Sequence, residues 1–314
     1  MSSLNYNMKV ENSSEDVDLK KVFNVFFRYK WLVSSITLVA ALISVVFAIN
    51  QPNIYKSTTL IMPAEQESKG GLSSLASQFG GLASLAGMNI PSQSNKSKIA
   101  VEILRSRLFI SKFINKHNLL PDLIAAEFWD LGSNKLSYNP DLYDAEMKRW
   151  VRKVQLPFTP KPTDQEAYNS FLEKLSIIEN IETGMITISF DHISPYFAKN
   201  ILDLLIEDIN NEMKKKDIEE AKKSIAFLEE QIRKTSVSDI KSIFYNLIEE
   251  QTKTIMFAEV RKEYVFKVID PAIVPELKDR PKRALICIFG TLLGFMLSLL
   301  IVFFLSNIKG IYSK

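Results

Sequence analysis

Two long apolar runs without a charged side chain constrain this sequence more than any other feature. The first, WLVSSITLVAALISVVFAI, covers residues 31–49, and the second covers residues 284–305. At a rise of about 1.5 Å per residue, a helix of either length can cross the ~30 Å hydrocarbon core of a bilayer. The sequence therefore predicts one transmembrane helix near each end of the chain, with a large polar segment between them.

A cleaved signal peptide is the alternative interpretation of the first run. Signal peptides combine a short basic leader with an apolar core of about 7–15 residues and small residues at the cleavage site. Here a leader of 30 residues comes before the run, and the polar stretch NQPNIYKS follows it. We therefore predict a retained anchor helix.

The charges around the first run predict how the chain is oriented in the membrane. No basic residue follows this run until Lys56, whereas several precede it, among them Lys20, Lys21, Arg28 and Lys30. The positive-inside rule then places the N-terminus in the cytoplasm. A basic cluster at 278–283 opposes this orientation, but long segments translocate largely regardless of charge. We expect a cytoplasmic tail over 1–30, a periplasmic domain over 50–283 and a second cytoplasmic tail over 306–314.

Composition and motifs give no support for an enzyme or a metal protein. Cys287 is the single cysteine, and His117 and His192 are the two histidines. Neither disulfides nor a histidine-based metal centre are therefore expected. The net charge of +3 gives no reason to expect nucleic acid. The sequence has no phosphate-loop, HExxH or GxSxG motif. A DVD triplet at 16–18 imitates a sugar-transferase motif, but it lies in the polar N-terminal tail. We predict no catalytic residue and no cofactor.

The first half of the polar segment is predicted to mix strands and helices. IYKSTTLIMPA is rich in β-branched residues and favours a strand that ends at Pro63. Apolar residues at three- and four-residue steps predict one helix over 97–120, followed by an irregular stretch at 121–163. LSIIENIET and MITISF then form a predicted β-hairpin across Gly184.

A glycine-rich repeat interrupts this pattern, with GGLSSLA at 70–76 and GGLASLA at 80–86. No charged side chain occurs from Gly70 to Asn95. One interpretation is a flexible apolar loop packed against its own domain. The other is a mobile apolar surface that contacts a neighbouring subunit, the membrane or a lumen.

A long helix is predicted to begin at Ser194, where a serine cap is followed by proline at the first helical position. No breaker occurs before about Thr235, so the helix could reach on the order of 60 Å. Its middle, NNEMKKKD, is almost wholly polar, which predicts a helix that projects from the domain. A return helix over about 240–264 and a strand at YVFKVIDPA complete the predicted hairpin and base. The predicted oligomer contacts are apolar residues at coiled-coil-like spacing in the second half of the long helix: Ile218, Ile225, Leu228 and Ile232.

A proline-rich segment leads into the second apolar run. Pro271, Pro275 and Pro281 cannot lie inside a regular helix, so they predict a stiff collar before the membrane. Gly290 and Gly294 form a GxxxG pattern within the run. Glycines four apart share one helix face and let another helix approach closely. We expect this face to pack on another helix, such as one of a second protomer or of a partner protein.

The combination of these features resembles the Wzz family, the chain-length determinants of bacterial surface polysaccharides. The resemblance is strongest in VDLKKVFNVFFRYKWLVSSITLVAALISVVFAINQPNIYKSTTLIMP and in AEVRKEYVFKVIDPAIVPELKDRPKRALICIFGTLLGFML. These stretches belong to an N-terminal family region of about 16–110 and a proline- and glycine-rich region of about 250–306. The resemblance implies an α+β membrane protein whose two transmembrane helices flank a periplasmic domain. An α/β base over about 50–193 and 264–283 would carry a long helical hairpin over about 194–263.

The resemblance also implies a function. Wzz proteins are non-enzymatic co-polymerases that form homo-oligomeric rings in the bacterial inner membrane. There they act on a Wzy-type polymerase and the growing lipid-linked polysaccharide, and set a preferred glycan length, here expected for lipopolysaccharide O-antigen. Membrane lipids are the other expected partner. One alternative is a capsule or exopolysaccharide export adaptor that works with a separately encoded tyrosine kinase, since only nine residues follow Leu305 and no phosphate loop is present. A membrane-anchored glycan enzyme is a further alternative, and it lacks candidate catalytic residues.

Overall fold

The computed structural model describes residues 29–64 and 93–312. The DVD triplet and both copies of the glycine-rich repeat lie outside these residues. The chain divides into two compact units. Met1–Gln51 and Pro281–Lys314 form the first, called here the helix-pair unit, and Pro52–Arg280 forms the second, called the α/β domain.

Helices and strands alternate irregularly through the described residues. The helices are α1 (Lys30–Asn50), α2 (Gln93–Arg105), α3 (Arg107–Lys116), α4 (Leu120–Ile124), α5 (Asp164–Lys174), α6 (Pro195–Lys234), α7 (Ser238–Val260) and α8 (Arg283–Tyr312). The strands are β1 (Tyr55–Pro63), β2 (Ala126–Asp130), β3 (Lys135–Tyr138), β4 (Tyr143–Asp144), β5 (Arg149–Trp150), β6 (Leu175–Glu179), β7 (Ile186–His192) and β8 (Phe266–Asp270).

The helix-pair unit consists of α1 and α8, which pack against each other. Both are long and apolar enough to cross a membrane, with mean hydropathies of 2.6 over Lys30–Asn50 and 2.7 over Arg283–Leu305. Most of their apolar side chains are exposed. An apolar surface of this extent is suited to lipid rather than to water, so the two helices are the membrane anchors of the chain.

The α/β domain is built on a four-stranded antiparallel sheet with the strand order β6-β7-β1-β8. The predicted hairpin is formed by β6 and β7, and its turn contains Gly184 at a φ of 67°. In β1, the alternate residues Ser57, Thr59 and Ile61 are buried. This period of two is that of a strand with one covered face. Helix α6 covers that face by packing on β1 and β7, so the predicted α+β class is confirmed.

The helix predicted over 97–120 is wrong as a single element. The chain breaks at Ser106, which is extended and whose side chain accepts a hydrogen bond from the backbone N–H of Phe109. Serine readily acts as such a cap, so α2 ends and α3 begins around it.

The stretch predicted to be irregular is also more ordered than expected. It contains α4 and the two small hairpins β2–β3 and β4–β5. Helix α5 follows, and the reciprocal capping box between Thr163 and Glu166 begins it. The spacing T-x-x-E is a local signal for this helix start.

The long helix is confirmed over 40 residues, from Pro195 to Lys234. The Ser194 side chain accepts a hydrogen bond from the backbone N–H of Phe197, as its predicted cap role requires. Helix α7 returns after three residues and packs along α6. The polar stretch NNEMKKKD does not project as predicted, because Asn210 and Met213 within it are buried.

Candidate functional site

Gly290 and Gly294 of α8 lie directly against α1. A Cβ atom added to Gly290 would lie 2.4 Å from the Cβ of Ser44, and one added to Gly294 would lie 2.2 Å from the Cβ of Ala40. Real Cβ atoms essentially never come closer than 3.0 Å, so glycine alone fits at either position. The later glycine meets the earlier residue of α1, hence the helices run antiparallel. The glycine face therefore has its partner within the chain, and not in the second protomer or partner protein expected from the sequence.

The surface of α1 that receives these glycines consists of small residues that the sequence reading does not single out. Ala40, Ser44 and Ala48 recur at four-residue intervals and so share one helix face. Ser44 and Ala48 are buried while their neighbours are exposed. On α8, Ser298 and Val302 continue the glycine spacing and are also buried. A small-xxx-small pattern in α1 is the signal that identifies this surface.

The hydroxyl groups along this contact are satisfied by their own helices. Thr37 donates to the backbone oxygen of Val33 over 2.8 Å, and Ser44 donates to that of Ala41 over 2.9 Å. Ser298 does the same in α8. Each of these bonds joins residues of one helix, so close van der Waals packing accounts for the contact, as is usual where small residues bring membrane helices together.

Arg283 closes the helix pair at the C-terminal end of α1. Its Nε donates to the backbone oxygen of Ala48 over 3.1 Å, and its Nη2 donates to that of Gln51 over 3.4 Å. The last carbonyl groups of a helix lack partners within it, and the helix dipole favours a positive charge there. Arg283 begins α8 while it caps α1, and it thereby fixes the register of the two helices.

The collar, residues 271–281, runs beside β1 and is held to it by hydrogen bonds. Ile54 donates its backbone N–H to Arg280 and accepts from the backbone N–H of Asp279, each over 2.8 Å. The Ser57 hydroxyl donates to the backbone oxygen of Ile273 over 2.8 Å. The Thr59 hydroxyl donates to that of Asp270, just before the collar, over 2.9 Å. The prolines only restrict the backbone angles of the collar. The hydrogen bonds to β1 fix its path.

Charged side chains link the end of the collar to the sheet. Arg280 forms a salt bridge with Asp191, the second-last residue of β7. Lys56 lies 3.8 Å from both Asp191 and Asp279. These residues come from three separate segments, so the network joins the collar, β1 and β7 at one end of the sheet.

The predicted oligomer contacts Ile218, Ile225, Leu228 and Ile232 are half-buried in the structure. Helices α6 and α7 pack against each other along this part of the chain. Apolar residues at three- and four-residue steps that are half-covered in a single chain are accounted for by such a helix pair. These four residues serve the hairpin itself, and a role in oligomer contacts remains a proposal.

Other apolar side chains of the helical hairpin are more exposed, and the sequence reading does not single them out. Phe227 of α6 is 61% exposed and Tyr245 of α7 is 58% exposed. The two residues are equally far in sequence from Ser236 in the turn, so they lie at the same level of the hairpin. The remaining exposed apolar residues of α7 include Ile243, Met256, Phe257 and Val260. Several large apolar side chains exposed along one helical hairpin indicate a surface that contacts a partner.

Asn210 joins the long helix to the strand that returns from the hairpin. Its side-chain oxygen accepts hydrogen bonds from the backbone N–H groups of Tyr264, Val265 and Phe266, over 3.1, 2.8 and 2.9 Å. Its side-chain nitrogen donates to the backbone oxygen of Phe266 over 3.0 Å. Asn210 is buried, and buried backbone groups require such partners. The hairpin is therefore rooted in the domain at this residue.

A cleft with a volume of about 630 Å³ lies between α3 and α6. Two ion pairs cross it: Lys116 Nζ lies 2.6 Å from an Asp208 oxygen, and Lys112 Nζ lies 3.6 Å from a Glu212 oxygen. His117 Nε2 also lies 2.9 Å from Asp208. These pairs fasten α3 to α6. Among the residues that the structure describes, no three His, Cys, Asp or Glu side chains are grouped to hold a metal ion.

These observations define a class of protein: an α/β domain with a long helical hairpin, preceded and followed along the chain by membrane-anchor helices. The model of one family, described as Wzz, chain length determinant protein, matches residues 15–117. Over these residues the chain is similar to the Wzz family, in agreement with the resemblance found in the sequence. No curated protein sequence matches the chain significantly.

Two solved structures are similar to this chain at low sequence identity. One, a full-length bacterial polysaccharide co-polymerase, is 12% identical with a TM-score of 0.43, and the match covers 95% of this chain and all of that chain. The other, a fragment of WzzB, a polysaccharide co-polymerase from Salmonella Typhimurium, is 14% identical with a TM-score of 0.30. That match covers 73% of this chain and all of the fragment. Scores this low give no residue-by-residue correspondence.

Proposed function

We propose that this protein sets the chain length of a bacterial surface polysaccharide, with lipopolysaccharide O-antigen as the expected glycan. It acts as a non-enzymatic co-polymerase in the inner membrane, with both termini in the cytoplasm and the α/β domain in the periplasm. The protomers form a ring, and the ring regulates a Wzy-type polymerase that extends a lipid-linked glycan. The match of residues 15–117 to the Wzz family carries this proposal.

The fold supports a scaffolding role for each protomer. Gly290 and Gly294 hold α8 against α1 so closely that the two helices form one anchor. Hydrogen bonds from Ile54 and Ser57 fix the collar that leads into α8. These contacts give each protomer a fixed shape and require no catalytic residue. Such a protomer suits a protein that limits the number of glycan units through the assembly it forms.

The helical hairpin supports the proposed ring. Exposed apolar residues such as Phe227 and Tyr245 cost solubility in an isolated protomer, because water is a poor solvent for them. Contact between hairpins of neighbouring protomers would cover these side chains. The same contact would set a repeating geometry around a central axis, since identical protomers that meet head to tail form closed rings.

Electrophoresis of surface polysaccharide tests the function directly. Cells that lack the gene should lose the preferred glycan length and show a random, shorter-weighted ladder, and the gene supplied in trans should restore the preferred band. Catalysis is tested separately, because purified protein with lipid-linked glycan and no polymerase should leave the glycan unchanged. An unaltered ladder in the deletion strain would exclude the proposed function.

Orientation can be measured independently of the glycan. A periplasm-active phosphatase fused after Ser236, in the hairpin turn, should be active, whereas the same enzyme fused after Lys314 should be inactive. The reverse pattern would place the α/β domain in the cytoplasm.

A further inference from the structure

One end of the main sheet carries both chain connections to the membrane helices. Tyr55, at the start of β1, pairs with His192, at the end of β7. Ile54 pairs with Arg280 through backbone hydrogen bonds at the same end. Tyr55 comes five residues after the last residue of α1, and Arg280 comes three residues before the first residue of α8. We call this end, with Ile54, Tyr55, His192 and Arg280, the anchor edge.

The small β2–β3 hairpin is fastened to the anchor edge. The ring of Trp129 in β2 meets the ring of Tyr55 edge-on, with centroids 5.5 Å apart, and lies 6.1 Å from that of Tyr196 at the start of α6. His192 Nε2 lies 2.9 Å from the backbone oxygen of Asp122, and the Asp122 carboxylate accepts a hydrogen bond from the Tyr138 hydroxyl over 2.5 Å. The hairpin therefore lies beside the residues that connect to the membrane helices.

Two large apolar side chains of this hairpin face away from the domain. Trp129 is buried, whereas Phe128, next to it in β2, is 62% exposed. Leu131, in the turn between β2 and β3, is 77% exposed. Alternation along a strand explains the outward direction of Phe128. Among the residues that the structure describes, no packing contact explains why a phenylalanine and a leucine stand there.

The turn holds Leu131 in a fixed position. The Asp130 carboxylate accepts hydrogen bonds from the backbone N–H groups of Gly132 and Ser133, over 3.3 and 3.0 Å, and from the Ser133 hydroxyl over 2.6 Å. Asn134 has a φ of 51°, and its side-chain oxygen accepts from Trp129 Nε1 over 2.8 Å. A turn ordered on both sides presents Leu131 without further loss of conformational entropy when it is buried.

We propose that the β2–β3 hairpin rests on the bilayer, with Phe128 and Leu131 in the boundary between lipid headgroups and hydrocarbon. The covalent chain limits the alternatives, because Tyr55 comes five residues after the end of α1 and five Cα–Cα steps span at most about 18 Å. The headgroup region itself is several ångströms thick, and aromatic side chains favour it. Lys278 of the collar and Lys282, which follows the collar, are exposed and suit the phosphate groups of that region. The inference does not depend on the function proposed above.

Site-directed labelling of the full-length protein in vesicles tests this contact. Cys287 is first replaced by serine, and a single cysteine is introduced by Leu131→Cys and labelled with an environment-sensitive fluorophore. The matched control is Ile181→Cys, because Ile181 is 95% exposed in the β6–β7 turn. That turn lies at the opposite end of the sheet, where Ile186 pairs with Ile61. The probes are iodide in the water and a nitroxide on a shallow acyl carbon of phosphatidylcholine and phosphatidylglycerol.

The expected result is a difference between the two sites. The label at 131 should be quenched by the lipid nitroxide, and its Stern–Volmer constant for iodide should be several-fold lower than at 181. A label at 131 that is open to iodide and untouched by the nitroxide would overturn the proposal. Shielding from both quenchers would also overturn it, since that result points to a protein contact such as a second copy. Both labelled variants should keep the thermal unfolding of the unlabelled protein, because neither side chain is packed.

Discussion

The molecule contains two antiparallel helix pairs, one with small residues at the contact between its helices and the other with large apolar residues there. In the pair α1–α8, glycines meet Ser44 and Ala40, and large apolar side chains face outward. In the pair α6–α7, large residues such as Ile225 and Leu228 are half-buried at the contact, while the exposed side chains of α6 over 215–234 are mainly charged. Lipid provides no hydrophobic force between helices, so the first pair depends on close approach. Water provides that force, so large apolar side chains can hold α6 and α7 together.

The comparison also identifies where each pair is incomplete. Outward apolar residues are expected on α1 and α8, because lipid covers them. Phe227 and Tyr245 on the water-exposed pair have no such cover. The membrane pair is therefore closed within one chain, and we propose that a neighbouring protomer covers the exposed residues of the hairpin pair.

Breaking the membrane pair should have the largest effect. Replacing Gly290 and Gly294 with Leu adds side chains where even a Cβ lies 2.4 or 2.2 Å from a Cβ of α1. The helices must separate, so we expect complete loss of the preferred glycan length at a normal protein level. Electrophoresis of the glycan and immunoblotting of the protein measure both quantities.

A substitution on the opposite helix provides the control for this prediction. Ser44→Leu fills the same contact from α1 and should match the effect of the glycine variants. Ser35→Leu makes the same chemical change at an exposed position and should leave the glycan length unaltered. If Ser44→Leu behaves like Ser35→Leu, the close contact between α1 and α8 does not matter for length control.

Breaking the hairpin pair should have the next largest effect. Ile225→Asp together with Leu228→Asp places charges in the half-buried contact between α6 and α7, where unpaired burial costs several kcal/mol. We expect the outer part of the hairpin to unfold, with loss of helical circular dichroism and new protease cleavage between 214 and 260. Cleavage confined to other regions would contradict this assignment.

Replacing exposed apolar residues of the α6–α7 pair separates assembly from folding, because the substitutions should affect the first and not the second. Phe227→Asp together with Tyr245→Asp removes apolar surface that the chain itself does not cover. We expect smaller particles in detergent by light scattering, with unchanged helicity. Ser224→Asp, on the same helix and also exposed, is the control and should keep the wild-type particle size. Unchanged particles in the double variant would remove this surface from the proposed ring.

Local signals account for the parts of the fold that the sequence predicts well. Ser194 and Pro195 mark the start of α6, and Gly184 marks the turn of the β6–β7 hairpin, because caps and turns depend on adjacent residues. Thr163 and Glu166 mark the start of α5 in the same way, because they form a capping box. The helix break at Ser106 is harder, since the apolar periodicity continues across it.

Contacts between distant residues account for the parts that the sequence does not predict. Asn210 reads as one residue of a solvated stretch, because its partners Tyr264 to Phe266 come more than fifty residues later. The GxxxG pattern identifies a packing face in α8, but it does not identify the partner. That partner depends on the register between α1 and α8, which Arg283 fixes across the chain.

Acid should weaken the domain that carries the hairpin pair. His192 is buried, its Nδ1 accepts from the backbone N–H of Ser194, and its Nε2 then donates to the backbone oxygen of Asp122. Burial lowers the pKa of His192 to about 4 from 6.5. Below pH 6.5 the unfolded chain binds a proton that the folded chain does not, so stability is retained above this pH and falls between pH 6.5 and 4. The total loss is on the order of 3 kcal/mol.

Urea unfolding of the full-length protein in detergent at pH 7.5, 6 and 5, followed by tryptophan fluorescence, measures this dependence. His192→Gln retains an amide donor without a titrating ring. Its unfolding midpoint should therefore change less between pH 7.5 and 5 than that of the wild type. An identical pH dependence in the two proteins would show that His192 is not the group responsible.

The smallest effect concerns the collar, which joins the two helix pairs along the chain. Replacing Pro271, Pro275 and Pro281 with Ala removes restrictions on the unfolded chain that are each worth about 0.4–1 kcal/mol. The hydrogen bonds from Ile54 and Ser57 remain, so we expect the distribution of glycan lengths to broaden only slightly.

A second variant, Ser57→Ala combined with Thr59→Val, removes one hydrogen bond to the collar and one to Asp270 just before it. This variant should broaden the distribution of glycan lengths more. Hydrogen exchange at 272–281 measures the loosening. If the proline variant abolishes length control while the hydroxyl variant does not, the prolines and not the hydrogen bonds hold the collar.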